Sequence, residues 1–250
     1  MHTAAEIAAL STAVFLGGVV SGFSGFAFSA AAGAILLHVF EPIAAIPLMM
    51  FCSIASQTMS LITVYRAVRW RELAPLLGGG LAGAAVVVPF MAAIEPGPFR
   101  IGFGVFLASY ALYTLMRRRA KVPINAAHSA ARPVVGFLAG AVGGLTAMPG
   151  ALVVVWCELR GLAKESQRAL VQPFIISIQV FAIGLLCFQP GAIGFDLFRR
   201  LAVALPAVGL GTLIGTSMFA KVNDQVFRYC ALSIILASGL LMVFSSHAMN

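Results

Sequence analysis

Two glycine-rich segments stand where apolar helices would otherwise run on. One reads Gly18-Val19-Val20-Ser21-Gly22-Phe23-Ser24-Gly25-Phe26. The other reads Gly140-Ala141-Val142-Gly143-Gly144-Leu145-Thr146-Ala147-Met148-Pro149-Gly150. Glycine frees the backbone, and proline suits a first helical turn. A helix that stops and restarts there presents unpaired N–H groups and a positive dipole end to the interior. Two such ends meeting inside a protein hold an anion without a buried lysine. Gly25, Gly144 and Met148 would shape such a site, and the hydroxyls of Ser24 and Thr146 would add donors. The alternative is close helix packing through glycine, with Ser24 and Thr146 bonded back to their own helices.

Gln57 and Gln179 are the second candidates. Each lies inside an apolar run, 35 residues after Gly22 and Gly144 respectively. An amide in such a place is costly unless satisfied. It offers two donors and an acceptor without fixed charge, which suits an oxyanion that must leave again. The alternative is a bond to a neighbouring helix as structural glue. Ser53, Ser56 and Ser177 share these runs, and Gln172 and Pro173 begin the second one.

Other chemistries find little support. Glu41, Glu95, Glu158, Glu165 and Asp196 fall at the ends of apolar runs, so no run carries a deep carboxylate. Cys52, Cys157, Cys187 and Cys230 are scattered singly, with no C-x-x-C and no metal spacing. They read as small hydrophobes. No cofactor or metal site is expected. Gly22-Phe23-Ser24-Gly25 has the form of an intramembrane serine nucleophile, which needs a histidine base within reach. His2, His38, His128 and His247 all lie at run ends or in loops, so the chain does not read as an enzyme.

These residues sit in a chain of 250 residues that is 61% hydrophobic and 10% charged, with a mean hydropathy of +1.01. No soluble domain hides that much apolar surface from water. Apolar runs occupy roughly 5–23, 26–40, 43–65, 73–94 and 99–116, then 133–145, 148–157, 169–189, 201–219 and 227–244. The longer ones match about 30 Å of hydrocarbon crossed as helix. No alternation of period two supports a barrel. The runs at 26–40, 133–145 and 148–157 are short, so 5–40 and 133–157 are expected to form hairpins broken at their glycines.

The net charge of +8 belongs to short loops. Arg66, Arg69 and Arg71 mark one, and Arg117, Arg118, Arg119, Lys121 and Arg132 the central link. Arg160, Lys164 and Arg168 follow the second hairpin, and Lys221 and Arg228 flank the last loop. This is the positive-inside pattern of a multi-pass protein of a bacterial inner membrane, and it excludes a nucleic-acid partner. The Arg160–Arg168 group would mainly orient the chain, with drawing anions toward a vestibule as the alternative. Arg199 and Arg200 are the misfit, being placed on the outer side. The first run lacks a basic leader segment, so it is not expected to be cleaved. Trp70 and Trp156, beside basic loops, are expected as interfacial anchors.

The chain also repeats itself. Phe15, Gly18 and Gly22 recur 122 positions on as Phe137, Gly140 and Gly144, and Ser24, Leu48 and Gln57 as Thr146, Leu170 and Gln179. With slippage, Pro75-x-x-Gly78-x-Gly80 recurs as Pro206-x-x-Gly209-x-Gly211. The expected fold is therefore an all-α integral membrane protein of two repeats, residues 1–120 and 133–250, joined by a basic cytoplasmic linker at 121–132. Each repeat is a broken hairpin plus three transmembrane helices. An odd count of five runs turns the second repeat upside down. Duplicated, inverted and broken helices are the mark of a secondary transporter. Gly79-x-x-x-Gly83 and Gly211-x-x-x-Gly215 read as packing faces.

The motifs resemble those of the sulfite exporter TauE/SafE family. Tyr65-Arg66-x-x-Arg69-Trp70-Arg71, then Leu73-x-Pro75-Leu76-x-Gly78-x-x-x-Ala82-Gly83, is similar to the family's basic turn and succeeding helix. Gly143-Gly144-Leu145-Thr146-Ala147-Met148-Pro149 is similar to its second opening. The first opening departs from it, with Phe23, Ser24, Phe26 and Phe28 where glycines and a proline are usual. The resemblance implies export of a small sulfur-containing anion such as sulfite or sulfoacetate. The other classes that the residues allow are an anion channel and a non-transporting membrane subunit. Lipid and a small anion are the expected partners, and the oligomeric state stays open, a homo-oligomer included.

Overall fold

The computed structural model describes residues 4–62, 64–93, 95–116, 131–160, 162–189 and 193–219, with single positions and adjacent pairs between 229 and 243. All the regular structure among them is helical: α1 (Ala4–Ser24), α2 (Phe28–Val39), α3 (Pro42–Leu61), α4 (Trp70–Val87), α5 (Pro96–Met116), α6 (Ala131–Thr146), α7 (Gly150–Leu159), α8 (Lys164–Leu186) and α9 (Phe195–Phe219), with 3-10 turns at Tyr65–Ala67 and Val88–Ala93. Five segments are long and apolar enough to cross a membrane: Ala4–Ser24, Pro42–Leu61, Trp70–Met91, Glu165–Leu186 and Phe195–Phe219. Arg117, Arg118, Arg119, Lys121, Lys221, Arg228 and Cys230, with most of the expected linker and final span, lie outside the described residues.

The helix boundaries follow the repeat. α1 stops at Ser24 and α6 at Thr146; α2 restarts at Phe28 and α7 at Gly150; α3 begins at Pro42 and α8 at Lys164. Each pair is 122 positions apart. Both breaks turn through the left-handed region one residue past the helix, at Gly25 (φ 84°) and Ala147 (φ 55°). Both close the same way, with the Gly25 amide donating to the Ser21 carbonyl (2.7 Å) and the Ala147 amide to the Gly143 carbonyl (2.9 Å). Glycine takes this conformation freely, whereas alanine is held there at a cost of about 1–2 kcal/mol.

The helices sort by which end they share. Glu6 of α1, Phe40 and Glu41 between α2 and α3, and Asp196, Arg199 and Arg200 of α9 line one cavity of about 450 Å³ at the first face. At the opposite, basic face, Glu72 of α4 binds Arg69 (3.3 Å), Arg160 after α7 (3.2 Å) and Arg132 of α6 (4.0 Å). So α1 begins at the first face, and α6 begins at the basic one. Three arginines surround the one carboxylate of Glu72, so basic residues are in excess there, as they are on cytoplasmic faces. Arg199 and Arg200 do sit at the first face, beside Glu6, Glu41 and Asp196.

Two parallel helix pairs carry the closest packing. In α1 and α9, Gly211 meets Phe15 and Gly215 meets Val19, and the Phe23 and Phe219 rings meet edge to face at 5.8 Å. In α4 and α6, Gly136 meets Leu76, Gly140 meets Gly80, and Gly144 meets Val87 and Val88. Backbone touches backbone along both seams, so a methyl at Gly83 or Gly140 would run into a carbonyl of the neighbouring helix. Where lipid gives no hydrophobic drive between helices, this close approach supplies the attraction. Both small-xxx-small stretches are therefore packing faces, as expected. Outward lie large apolar side chains such as Leu16, Phe90, Leu138, Val180, Leu210 and Leu213. One expectation is corrected. Trp70 is exposed beside the basic turn, but Trp156 is only 7% exposed and lies beneath the Arg160 guanidinium at 4.8 Å. Packing of α7 inside the molecule, rather than an interfacial position, accounts for it.

Candidate functional site

The two breaks meet. Ser29, in the first turn of α2, donates its hydroxyl hydrogen to the Ala147 carbonyl at 2.6 Å. The same carbonyl accepts from Gln179 Nε2 at 2.9 Å. A Cβ on Gly150 would touch Phe26 at 3.1 Å, so the opening of α7 abuts the turn between α1 and α2. Three helix termini and α8 thus converge on one buried locus. Ala147 and Met148 are buried with it, as is Gly144 on its packing seam.

The first glutamine belongs to a separate but parallel cluster. Gln57 Nε2 donates to Ser21 Oγ (3.1 Å), Ser56 Oγ donates to Ser21 Oγ (3.0 Å), and Thr212 Oγ1 donates to Ser56 Oγ (2.9 Å). All four side chains are fully buried. They tie α9 to the C-terminal turns of α1 and α3. In both glutamines the amide nitrogen is satisfied, while Oε1 is buried without a partner. A buried carbonyl oxygen left this way is costly, and native structures hold few of them.

The hydroxyls at the breaks are engaged locally. Ser24 Oγ accepts from the Phe26 and Ala27 amides at 3.4 and 3.3 Å, capping the turn into α2. Thr146 Oγ1 donates to the Val142 carbonyl one turn back, at 2.7 Å. Each shapes its break, and the Gly25, Phe26, Ala27 and Ala147 amides there are themselves engaged. Gly25 is held by its neighbour, since a Cβ there would lie 2.8 Å from Arg168 Nε.

Arg168 is the residue that the sequence hid. The sequence groups it with Arg160 and Lys164 as a charge of the inner loop. In the structure it is only 6% exposed. Its Nη2 donates to the Gly22 carbonyl at 2.6 Å, its guanidinium lies 4.3 Å from the centre of the Phe219 ring, and its Nε is buried without a partner. The available signal was spacing. Arg168, Gln172, Ile175 and Gln179 fall on one face of α8 at steps of four, three and four. Ser21, Ser29 and Thr212 were also missed. Ser21 lay in plain view within the first glycine segment.

The arrangement gathers amides, hydroxyls and one guanidinium, all buried in an apolar surround. That chemistry suits holding an anion reversibly. Neither a curated protein nor a solved structure matches the chain. The family model for the sulfite exporter TauE/SafE family matches residues 10–242, nearly the whole chain. Members of that family are membrane transporters of sulfite and related sulfur anions. With its interior built of apolar helices around two meeting breaks, this multi-pass membrane protein belongs to the sulfite exporter TauE/SafE family.

Proposed function

We propose that the chain carries a small sulfur oxyanion or organosulfonate, such as sulfite or sulfoacetate, across a bacterial inner membrane by alternating access. The observation that carries this reading is the contact between the two breaks through Ser29 and Ala147. It places two helix interruptions back to back in the interior, where amides count for most. The inverted relation of residues 1–120 and 133–250 is supported by the opposite starting faces of α1 and α6. It is supported again by the reciprocal pairing of α1 with α9 and of α6 with α4. Two halves related in this way exchange roles when the molecule opens to one side and then the other.

In this reading Gln57, Gln179, Gly25, Gly144 and Met148 line or border the path, and Ser24 and Thr146 set the geometry of the breaks. The free Oε1 atoms of the glutamines would turn aside as the amide nitrogens swing to the guest. The test is flux of labelled sulfite into proteoliposomes, with acetate as control and with or without a pH gradient. Saturable, exchange-competent sulfite flux is expected. Gln57→Ala and Gln179→Ala should each cut it while the protein stays folded. Wild-type flux in both variants, or flux that never saturates, would overturn the assignment.

A further inference from the structure

We propose that Arg168 and Gln172 form the charged station for the transported anion, and that only the second half of the molecule supplies it. This deepens the transport reading and rests on it. Arg168 is a cation more than nine-tenths buried, and no carboxylate among the described residues pairs with it. A charge buried without a counter-ion is costly, and within a membrane protein it marks a path for ions. Its contacts to the Gly22 carbonyl and the Phe219 ring fix its place but do not neutralise it. Its Nε–H is left without an acceptor.

Gln172 lies one turn further along the same face of α8. It is fully buried, and neither its Nε2 nor its Oε1 has a partner. Two unpartnered donors, Arg168 Nε and Gln172 Nε2, suit a small oxyanion that accepts from both, and Gln172 Oε1 suits the hydroxyl of a singly protonated one such as hydrogen sulfite. Charge-assisted bonds of this kind are the strong ones. At the matching positions of the first half, 122 residues earlier, stand Ile46 and Met50. The site is therefore lopsided. Because Arg168 lies one turn in from the basic face, an anion arriving from that face reaches it first.

The experiment uses the full chain, purified and reconstituted, with sulfite as probe. Equilibrium binding and flux are measured for wild type, Arg168→Lys, Arg168→Gln and Gln172→Leu, alongside thermal unfolding. Gln172→Leu should raise thermal stability, because it removes two unsatisfied atoms, and yet weaken sulfite binding by about tenfold, as expected for one lost strong contact. Arg168→Gln should abolish saturable binding, with Arg168→Lys partly restoring it. A Gln172→Leu protein that is more stable and binds sulfite like wild type overturns the station, even should Arg168→Gln fail to fold. Wild-type protein that binds and moves no anion overturns the transport reading itself. Wild-type transport with unaltered variants overturns the station alone.

Discussion

Exchanging the two left-handed residues tests the breaks directly, because only one of the two exchanges should destabilise the protein. Gly25→Ala forces an alanine to φ 84°, which costs about 1–2 kcal/mol in backbone terms. The new methyl would also sit 2.8 Å from Arg168 Nε. The guanidinium must then slide, and its 2.6 Å bond to the Gly22 carbonyl weakens. A hydrogen bond from a charged donor is worth about 1.5–3 kcal/mol. The two effects sum to about 3 kcal/mol or more. For a chain of this size, about 2–4 °C is lost per kcal/mol, so the unfolding midpoint should drop by about 6 °C or more. At the matching position, Ala147→Gly relieves the backbone strain of φ 55°. That gain is partly offset by about 0.5–1 kcal/mol of unfolded-chain freedom. The midpoint should rise slightly or hold. The assay is thermal unfolding in detergent, followed by tryptophan fluorescence and by size-exclusion recovery. A Gly25→Ala protein as stable as wild type would show that neither the left-handed turn nor the Arg168 contact matters to the fold. An Ala147→Gly protein that loses as much as Gly25→Ala would refute the strain argument.

Three other outcomes are expected. Gly83→Leu or Gly140→Leu should prevent recovery of monodisperse protein, because the side chain enters the backbone of the paired helix; equal recovery of either variant would refute the α4–α6 seam. Glu72→Gln removes the negative charge shared by three arginines whose ion pairs are only partly buried. It should cost about 1 kcal/mol in dilute salt and less in molar salt, and a salt-independent loss in unfolding scans would contradict this. In a cysteine-free background, Glu41→Cys should react with an impermeant maleimide on intact cells, and Arg66→Cys only after permeabilisation. The reverse pattern would invert the assigned orientation.

Much of this was legible because a break in a membrane helix has to be written locally. The stops at Ser24 and Thr146, and the restarts at Phe28 and Gly150, fall inside the two glycine segments. The glycine seams were legible for the same reason, since contact between backbones excludes side chains. What stayed hidden depended on partners far along the chain. Nothing near Ser21 announces that Ser56 and Thr212 will close around it, since that needs three helices to pack first. Arg168 was masked by its neighbours: two basic residues upstream made it look like loop charge, although it falls within the first turns of a long buried helix. Trp156 misled in the same way, because an aromatic beside an arginine serves equally at a lipid boundary or under a guanidinium.

The pairing of α1 with α9 has a consequence for how the molecule is made. Helix α1 carries a glycine face whose mate is synthesised almost two hundred residues later. Until then the face must be lined by lipid, by the insertion machinery or by a provisional neighbour. The α1–α9 seam can therefore close only after α9 has been made, well after the α4–α6 seam. A nascent chain halted before α9 would leave Gly18, Gly22 and the Ser21 cluster unclosed, and quality control would meet it as an open seam.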